Sequence, residues 1–106
     1  MNLNNLSVLD NFKSRSISPE NFTGGKGQGG RATTGTGEDC ARDLGPGWKI
    51  SPSVRIQGGQ AFELAVIGGP GTIEQIWMTP TGNWRFSILR FYWDDQEYLS
   101  VECPVG

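Results

Sequence analysis

The stretch WRFSILRFYWDDQEYLSVECP, residues 84–104, carries the strongest β-strand pattern in the chain. Residues 84–93 place large apolar side chains on both faces of a predicted strand: Phe86, Ile88 and Tyr92 on one, Leu89, Phe91 and Trp93 on the other. A strand that is apolar on both faces is typical of the interior of a sandwich. The polar segment 94–97 predicts a turn, and the period of two resumes over 98–104.

Two further strands are predicted before this stretch. In residues 60–67, Phe62, Leu64 and Val66 alternate with Ala61, Glu63 and Ala65. A strand over residues 72–79 would place Ile73, Gln75 and Trp77 on one face and Glu74, Ile76 and Met78 on the other. The turn sequence Gly68-Gly69-Pro70-Gly71 lies between the two segments. Several short strands punctuated by turns are typical of an all-β fold. We therefore predict an antiparallel sandwich, for which the jelly roll is the natural candidate.

The rest of the chain divides into two segments that precede residues 48–106. Residues 1–17 are predicted to be helical because Leu3, Leu6, Leu9 and Phe12 recur every three positions over residues 2–13. Residues 18–47 are rich in glycine and threonine and predict a long loop. Within it, 25–30 match G-x-G-x-x-G, but no strand precedes and no helix follows, so we reject a dinucleotide site.

Composition excludes several classes of function. The net charge of -2 over 106 residues provides no basic field for nucleic acid. No apolar run reaches the roughly 18 residues of a membrane span. The N-terminus lacks the features of a signal peptide, so we expect a cytoplasmic protein. The last predicted strand is followed only by Val105 and Gly106, and we expect the chain to be a piece of a larger β-structure.

The residues available for catalysis are mainly carboxylates. The chain contains no histidine, which excludes nucleophiles activated by that residue. Cys40 and Cys103 stand alone, without metal-site spacing. The cluster Asp94, Asp95 and Glu97 fits a solvated turn or, less well, a calcium site, because it matches no defined calcium loop. Carboxylate pairs also serve glycoside hydrolysis, but the separation that this requires cannot be obtained from sequence.

Aromatic and basic residues near the loops admit two interpretations. Trp48 and Trp84 border loops, where an indole could stack on a sugar ring, although tryptophan also serves core packing. Lys26 and Arg31 lie among glycines, where a backbone can approach a ligand closely, or they belong to a flexible charged loop.

Four segments together resemble a known family. They are SRSISPENFTGGKGQGGRA (14–32), DLGPGWKISPSVRI (43–56), GPGTIEQIWMT (69–79) and ILRFYWDDQEYLSVECPVG (88–106). They resemble, in the same order, the N-terminal portion of the domain-of-unknown-function 2961 proteins, which form glycoside hydrolase family 172. The resemblance covers nearly the whole chain.

The resemblance implies a double jelly roll of which this chain forms the first part. It also implies trimers or larger homo-oligomers, α-linked furanoside substrates and a retaining mechanism that uses two glutamates without metal or organic cofactor. Those glutamates lie downstream of the matched region, so no catalytic residue is carried over. The loop residues carried over as substrate-binding candidates are Glu20, Asn21, Gly25, Lys26, Arg31, Trp48 and Lys49.

Two hypotheses of function follow. The first is the N-terminal segment of a furanosidase of the arabinofuranosidase or difructose-dianhydride type, inactive when alone. The second is a self-standing carbohydrate-binding or structural β-sandwich module.

Overall fold

The chain divides into two units in a computed structural model that describes residues 3–5 and 7–106. They comprise Met1–Gly69 and Pro70–Gly106. Most described residues lie outside helices and strands, and the sheet that they form has two antiparallel strands. This small sheet with little helix is compatible with the predicted all-β class. None of the described helices is long and apolar enough to span a bilayer.

The first unit is built mainly from turns. Its regular elements are a 3-10 turn at Leu3–Asn5 and a single-turn helix, α1, at Glu38–Ala41. Its small interior centres on Ala41, Ile50 and Ser51, which are 3%, 7% and 7% exposed. Glycines line this interior because a residue without Cβ lets two backbone segments approach each other closely.

The helix predicted over residues 2–13 is not formed beyond Leu3–Asn5 in the described residues. Asn2 and Leu6 lie outside those residues, whereas Leu9 and Phe12 are 97% and 87% exposed. A helix this short is marginal unless its apolar stripe packs on another surface. Among the described residues no such surface covers Leu9 or Phe12. In the predicted loop 18–47, by contrast, α1 forms.

The second unit contains the hairpin formed by β1, Ile88–Phe91, and β2, Val101–Pro104. Register pairs run from Ile88 opposite Pro104 to Phe91 opposite Val101. One further bond continues the ladder, since the Val105 amide donates to the Ser87 carbonyl at 3.0 Å. Both strands are shorter than predicted, because residues 84–86 form a 3-10 turn and 98–100 belong to the connection.

The connection between β1 and β2 contains a tight turn. Asp94 and Asp95 have φ of 55° and 56°, and the Gln96 amide donates to the Trp93 carbonyl at 3.0 Å. Positive φ at both central residues is the mark of a type I′ turn. The Ser100 hydroxyl then accepts a hydrogen bond from the Trp93 amide at 3.2 Å and donates to the Gln96 side chain at 2.7 Å.

The segments predicted to be strands at 60–67 and 72–79 are unpaired in the described part of the chain. Residues 61–82 take part in no hydrogen bond within the described part of the chain. Their apolar side chains are correspondingly open: Val66 is 76% exposed and Trp77 is 75% exposed. Sequence alternation makes a segment suitable for a sheet, but a strand forms only where a second strand accepts its hydrogen bonds.

Candidate functional site

The first group of predicted site residues lies on a turn at residues 18–25. The backbones of Ser18 and Asn21 exchange two hydrogen bonds of 3.1 and 2.8 Å around Pro19 and Glu20. Proline suits this position because its fixed φ matches the first central residue of a turn. The Ser18 hydroxyl also accepts a hydrogen bond from the Glu20 amide at 3.2 Å. Glu20 is thus held on a closed, hydrogen-bonded turn.

Asn21 and Gly25 are joined directly. The Asn21 side-chain amide donates to the Gly25 carbonyl at 3.0 Å. Gly24, between them, is buried with φ of 68°, and a Cβ there would lie 2.9 Å from the Ile17 side chain. Only glycine meets both requirements easily. The structure therefore uses the Asn21 amide to close its own turn.

Lys26 and Arg31 project from a more open part of the same segment. Both are exposed, and neither forms an ion pair with a described residue. Gly27 and Gly30 adopt φ of 71° and 69°, which lets the backbone turn twice between the two cations. These side chains are free to meet a ligand, but no described contact directs them to one point.

Trp48 and Lys49 precede two buried residues of the unit. Trp48 is 60% exposed, while Ile50 and Ser51, shortly after it, are buried. Lys49 has φ of 61°, a left-handed conformation that is unfavourable for a residue with a side chain. Such strain is often found at functional sites, so it supports Lys49 as a candidate.

Two close approaches bring these groups together. The Ser51 amide donates to the Glu20 carboxylate at 2.9 Å, across 31 positions of sequence. A Cβ on Gly30 would lie 3.4 Å from the Gly47 Cα, so the backbones that precede Arg31 and Trp48 nearly touch. The glycine-rich segment and the Trp48–Ser51 segment consequently form one surface of the first unit, which we call the loop site.

A third segment, residues 36–37, is hydrogen-bonded to residues 50 and 53 next to the loop site. The Gly37 amide donates to the Ile50 carbonyl at 2.8 Å, and the Thr36 and Ser53 hydroxyls are 2.6 Å apart. A Cβ on Gly37 would lie 2.5 Å from the Lys49 carbonyl oxygen. Sequence reasoning did not select Gly37 or Ser51. The sequence signal for this buried contact is Ile50, a single apolar residue in a polar stretch.

Several carboxylates of the second unit lie on the hairpin or on its connection. Asp94 and Asp95 occupy the exposed turn between β1 and β2, which agrees with the interpretation as a solvated turn. Glu102 accepts a hydrogen bond from Arg90 at 2.9 Å across the hairpin. Among the described residues no three metal-ligating side chains are grouped to hold an ion.

The second unit also contains an open apolar cleft of about 650 Å³. It is lined by residues 71–76 together with Phe91, Trp93 and Val101. The rings of Phe91 and Trp93 stack with centroids 5.2 Å apart. This cleft lies between residues 71–76 and the hairpin, and none of the predicted binding residues lines it.

Comparison with known proteins adds no relative. No protein-family model matches the chain, and no curated protein matches it significantly. The loop site therefore has to be interpreted from its own geometry. It offers exposed indole, ammonium and guanidinium groups on a glycine-rich backbone. Such groups can donate hydrogen bonds to a polar ligand.

Proposed function

We propose that this chain is the N-terminal segment of a longer glycoside hydrolase of family 172, acting on α-linked furanosides. In this proposal its strands begin the first jelly roll of a double jelly roll. The loop site contributes to sugar binding, while the catalytic glutamates come from chain that follows the matched region. The subunits assemble as trimers or larger homo-oligomers. The proposal rests on the sequence resemblance and on one physical observation.

That observation is the excess of exposed surface. The chain exposes 9796 Å² for a mass of 11.6 kDa. A compact monomer of this mass exposes about 5,800 Å², and two separate globules of the sizes of these units expose roughly 7,000 Å². The chain therefore exposes roughly 3,000 Å² more surface than two separate globules would. A standard protein–protein interface covers only about 800 Å² of each partner. The excess is larger than one such interface would cover, as expected for a segment of a larger fold.

Unpaired backbone supports the same conclusion. Residues 61–82 include two predicted strands and make no described hydrogen bond. Pairing these groups requires neighbouring strands, and covering Val66 and Trp77 requires an apolar layer. A jelly roll provides both. Together with the large excess of surface, this favours a segment of a bigger fold over a self-standing module.

The first test is to determine the coding sequence after the codon for Gly106. We expect the frame to continue with further predicted strands and glutamates. A stop codon there would overturn the proposal and favour the self-standing module.

The second test measures turnover of an aryl α-arabinofuranoside, with an aryl β-glucopyranoside as the control substrate. We expect no turnover by the 106-residue chain and turnover of the furanoside alone by the extended protein. Cleavage by the short chain would show that it contains its own catalytic groups. An extended protein that cleaves neither substrate would contradict the furanosidase assignment.

A further inference from the structure

The Ser51 backbone is held from two directions. Its amide donates to the Glu20 carboxylate at 2.9 Å, and the adjacent Ile50 carbonyl accepts from Gly37 at 2.8 Å. Ser51 is only 7% exposed. Without Glu20, its amide would lose its described acceptor in a place where water has little access, and leaving a buried donor unsatisfied is costly.

Glu20 is well suited to this role because its own backbone is restrained. It sits on the turn that Ser18 and Asn21 close by two reciprocal hydrogen bonds, and its amide donates to the Ser18 hydroxyl. Its carboxylate forms no ion pair with a described Lys or Arg. One of its oxygens is therefore committed to the Ser51 backbone rather than to a basic side chain.

We infer that Glu20 is a positioning residue, which fixes the Trp48–Ser51 segment against the glycine-rich segment and does not itself contact the sugar. The inference deepens the proposed function and rests on it for the identity of the ligand. Lys49 and Trp48 immediately precede the fixed backbone of Ile50 and Ser51. Holding Ser51 thus limits where the ammonium and indole groups can lie relative to Arg31 and Lys26. The hydrogen bond from the Ser51 amide orients the Glu20 carboxylate toward the backbone.

Amide hydrogen exchange of Ser51 tests the contact without any ligand. We expect the amide to be protected in the wild-type chain. Glu20→Ala should lower the protection about 10- to 100-fold, as for loss of a hydrogen bond to a charged acceptor. Glu20→Gln retains an oxygen acceptor and should preserve most of the protection. Glu63→Ala is the matched control, because Glu63 is exposed and makes no described hydrogen bond.

Three exchange results would overturn the inference. They are an unprotected Ser51 amide in the wild type, unchanged protection in Glu20→Ala, and a loss in Glu20→Gln as large as that in Glu20→Ala. Each would show that the carboxylate oxygen does not hold the Ser51 backbone in solution.

Titration with methyl α-arabinofuranoside then separates positioning from direct contact. The readouts are the NMR shifts of the Trp48 indole and the Lys49 amide. We expect Glu20→Gln to bind as the wild type does and Glu20→Ala to bind more weakly. If Glu20→Gln loses binding while Ser51 stays protected, Glu20 contacts the sugar and the inference is wrong. If the wild type does not bind, the proposed sugar site fails, while the exchange results still decide the Glu20–Ser51 contact.

Discussion

Replacing Gly37 with alanine should disturb the close packing of Gly37 against the Lys49 backbone of the loop site. A Cβ at this position would lie 2.5 Å from the Lys49 carbonyl oxygen and 3.0 Å from the Pro52 ring. Gly37 has φ of -108°, so alanine can adopt its backbone conformation, and the only new feature is the methyl group. To reach ordinary contact at 3.4 Å, the carbonyl must retreat by 0.9 Å from its position at 2.5 Å.

The expected cost follows from that displacement. The Lys49–Ser51 backbone cannot retreat freely, because the Ile50 carbonyl accepts from Gly37 and the Ser51 amide donates to Glu20. Forcing an extra methyl into a packed site costs about 1–3 kcal/mol. A Gly→Ala change also raises the free energy of unfolding by about 0.4–1 kcal/mol, because alanine lowers the conformational entropy of the unfolded chain. Comparison with a Gly→Ala change at a glycine in open space cancels this entropic contribution.

Gly58 is that control. It lies on an exposed turn, and a Cβ there would meet nothing within 4 Å. We expect Gly37→Ala to unfold with a free energy about 1–3 kcal/mol lower than Gly58→Ala. In urea, with a slope near 1 kcal/mol/M, its midpoint should be about 1–3 M lower. The NMR signals of the Ile50 and Ser51 amides report the transition. Equal midpoints would refute the close approach of Lys49 to Gly37.

Three further predictions concern strained and paired residues. Lys49→Gly should raise the free energy of unfolding by about 1 kcal/mol, because glycine tolerates φ of 61°. Lys49→Ala should not raise it, and equal urea midpoints for the two variants would contradict the left-handed conformation. Asp95→Gly should likewise stabilise the second unit by about 0.5–1 kcal/mol, measured by exchange of the Val101 amide, and faster exchange would argue against a type I′ turn. The Arg90–Glu102 pair has side chains 51% and 45% exposed, so a double-mutant cycle should give a coupling below about 0.5 kcal/mol that vanishes in high salt. A larger coupling that persists in salt would indicate a pair screened from solvent.

Local pattern was sufficient to predict the hairpin. Alternation over 84–93 and 98–104, with polar residues between, placed two strands where β1 and β2 lie. Their bounds could not be obtained in this way, because strand ends depend on which backbone groups find partners. The Ser100 hydroxyl, for example, binds the Trp93 amide within the connection. Strands were also predicted at 60–67 and 72–79, yet no partner strand pairs with these segments among the described residues.

The helix at the N-terminus shows the same limit. The apolar stripe that includes Leu9 and Phe12 was the basis for that prediction, but both side chains remain exposed. Amphipathic spacing can identify a helix only where something covers the apolar face. Conversely, α1 begins at Glu38 within a segment whose composition predicted only loop.

For the loop site, sequence could select residue types and identify glycines that permit close approach. Glu20, Trp48 and Lys49 are candidates because their motifs resemble those of a family and border a glycine-rich segment. That Glu20 bonds to Ser51, 31 positions away, depends on how the turns fold over one another. The placement of Gly37 against Lys49 has the same origin.

Composition and periodicity therefore account for properties that depend on near neighbours in the chain: the β class, the turns, the lack of a histidine nucleophile and the lack of a basic field. Contacts between distant segments required the tertiary structure, because they depend on which backbone donors and acceptors meet after the chain has folded. The buried Ser51 amide and the unpaired residues 61–82 are the two clearest cases. The first has found its acceptor in Glu20, while the second has found no partner within the described chain.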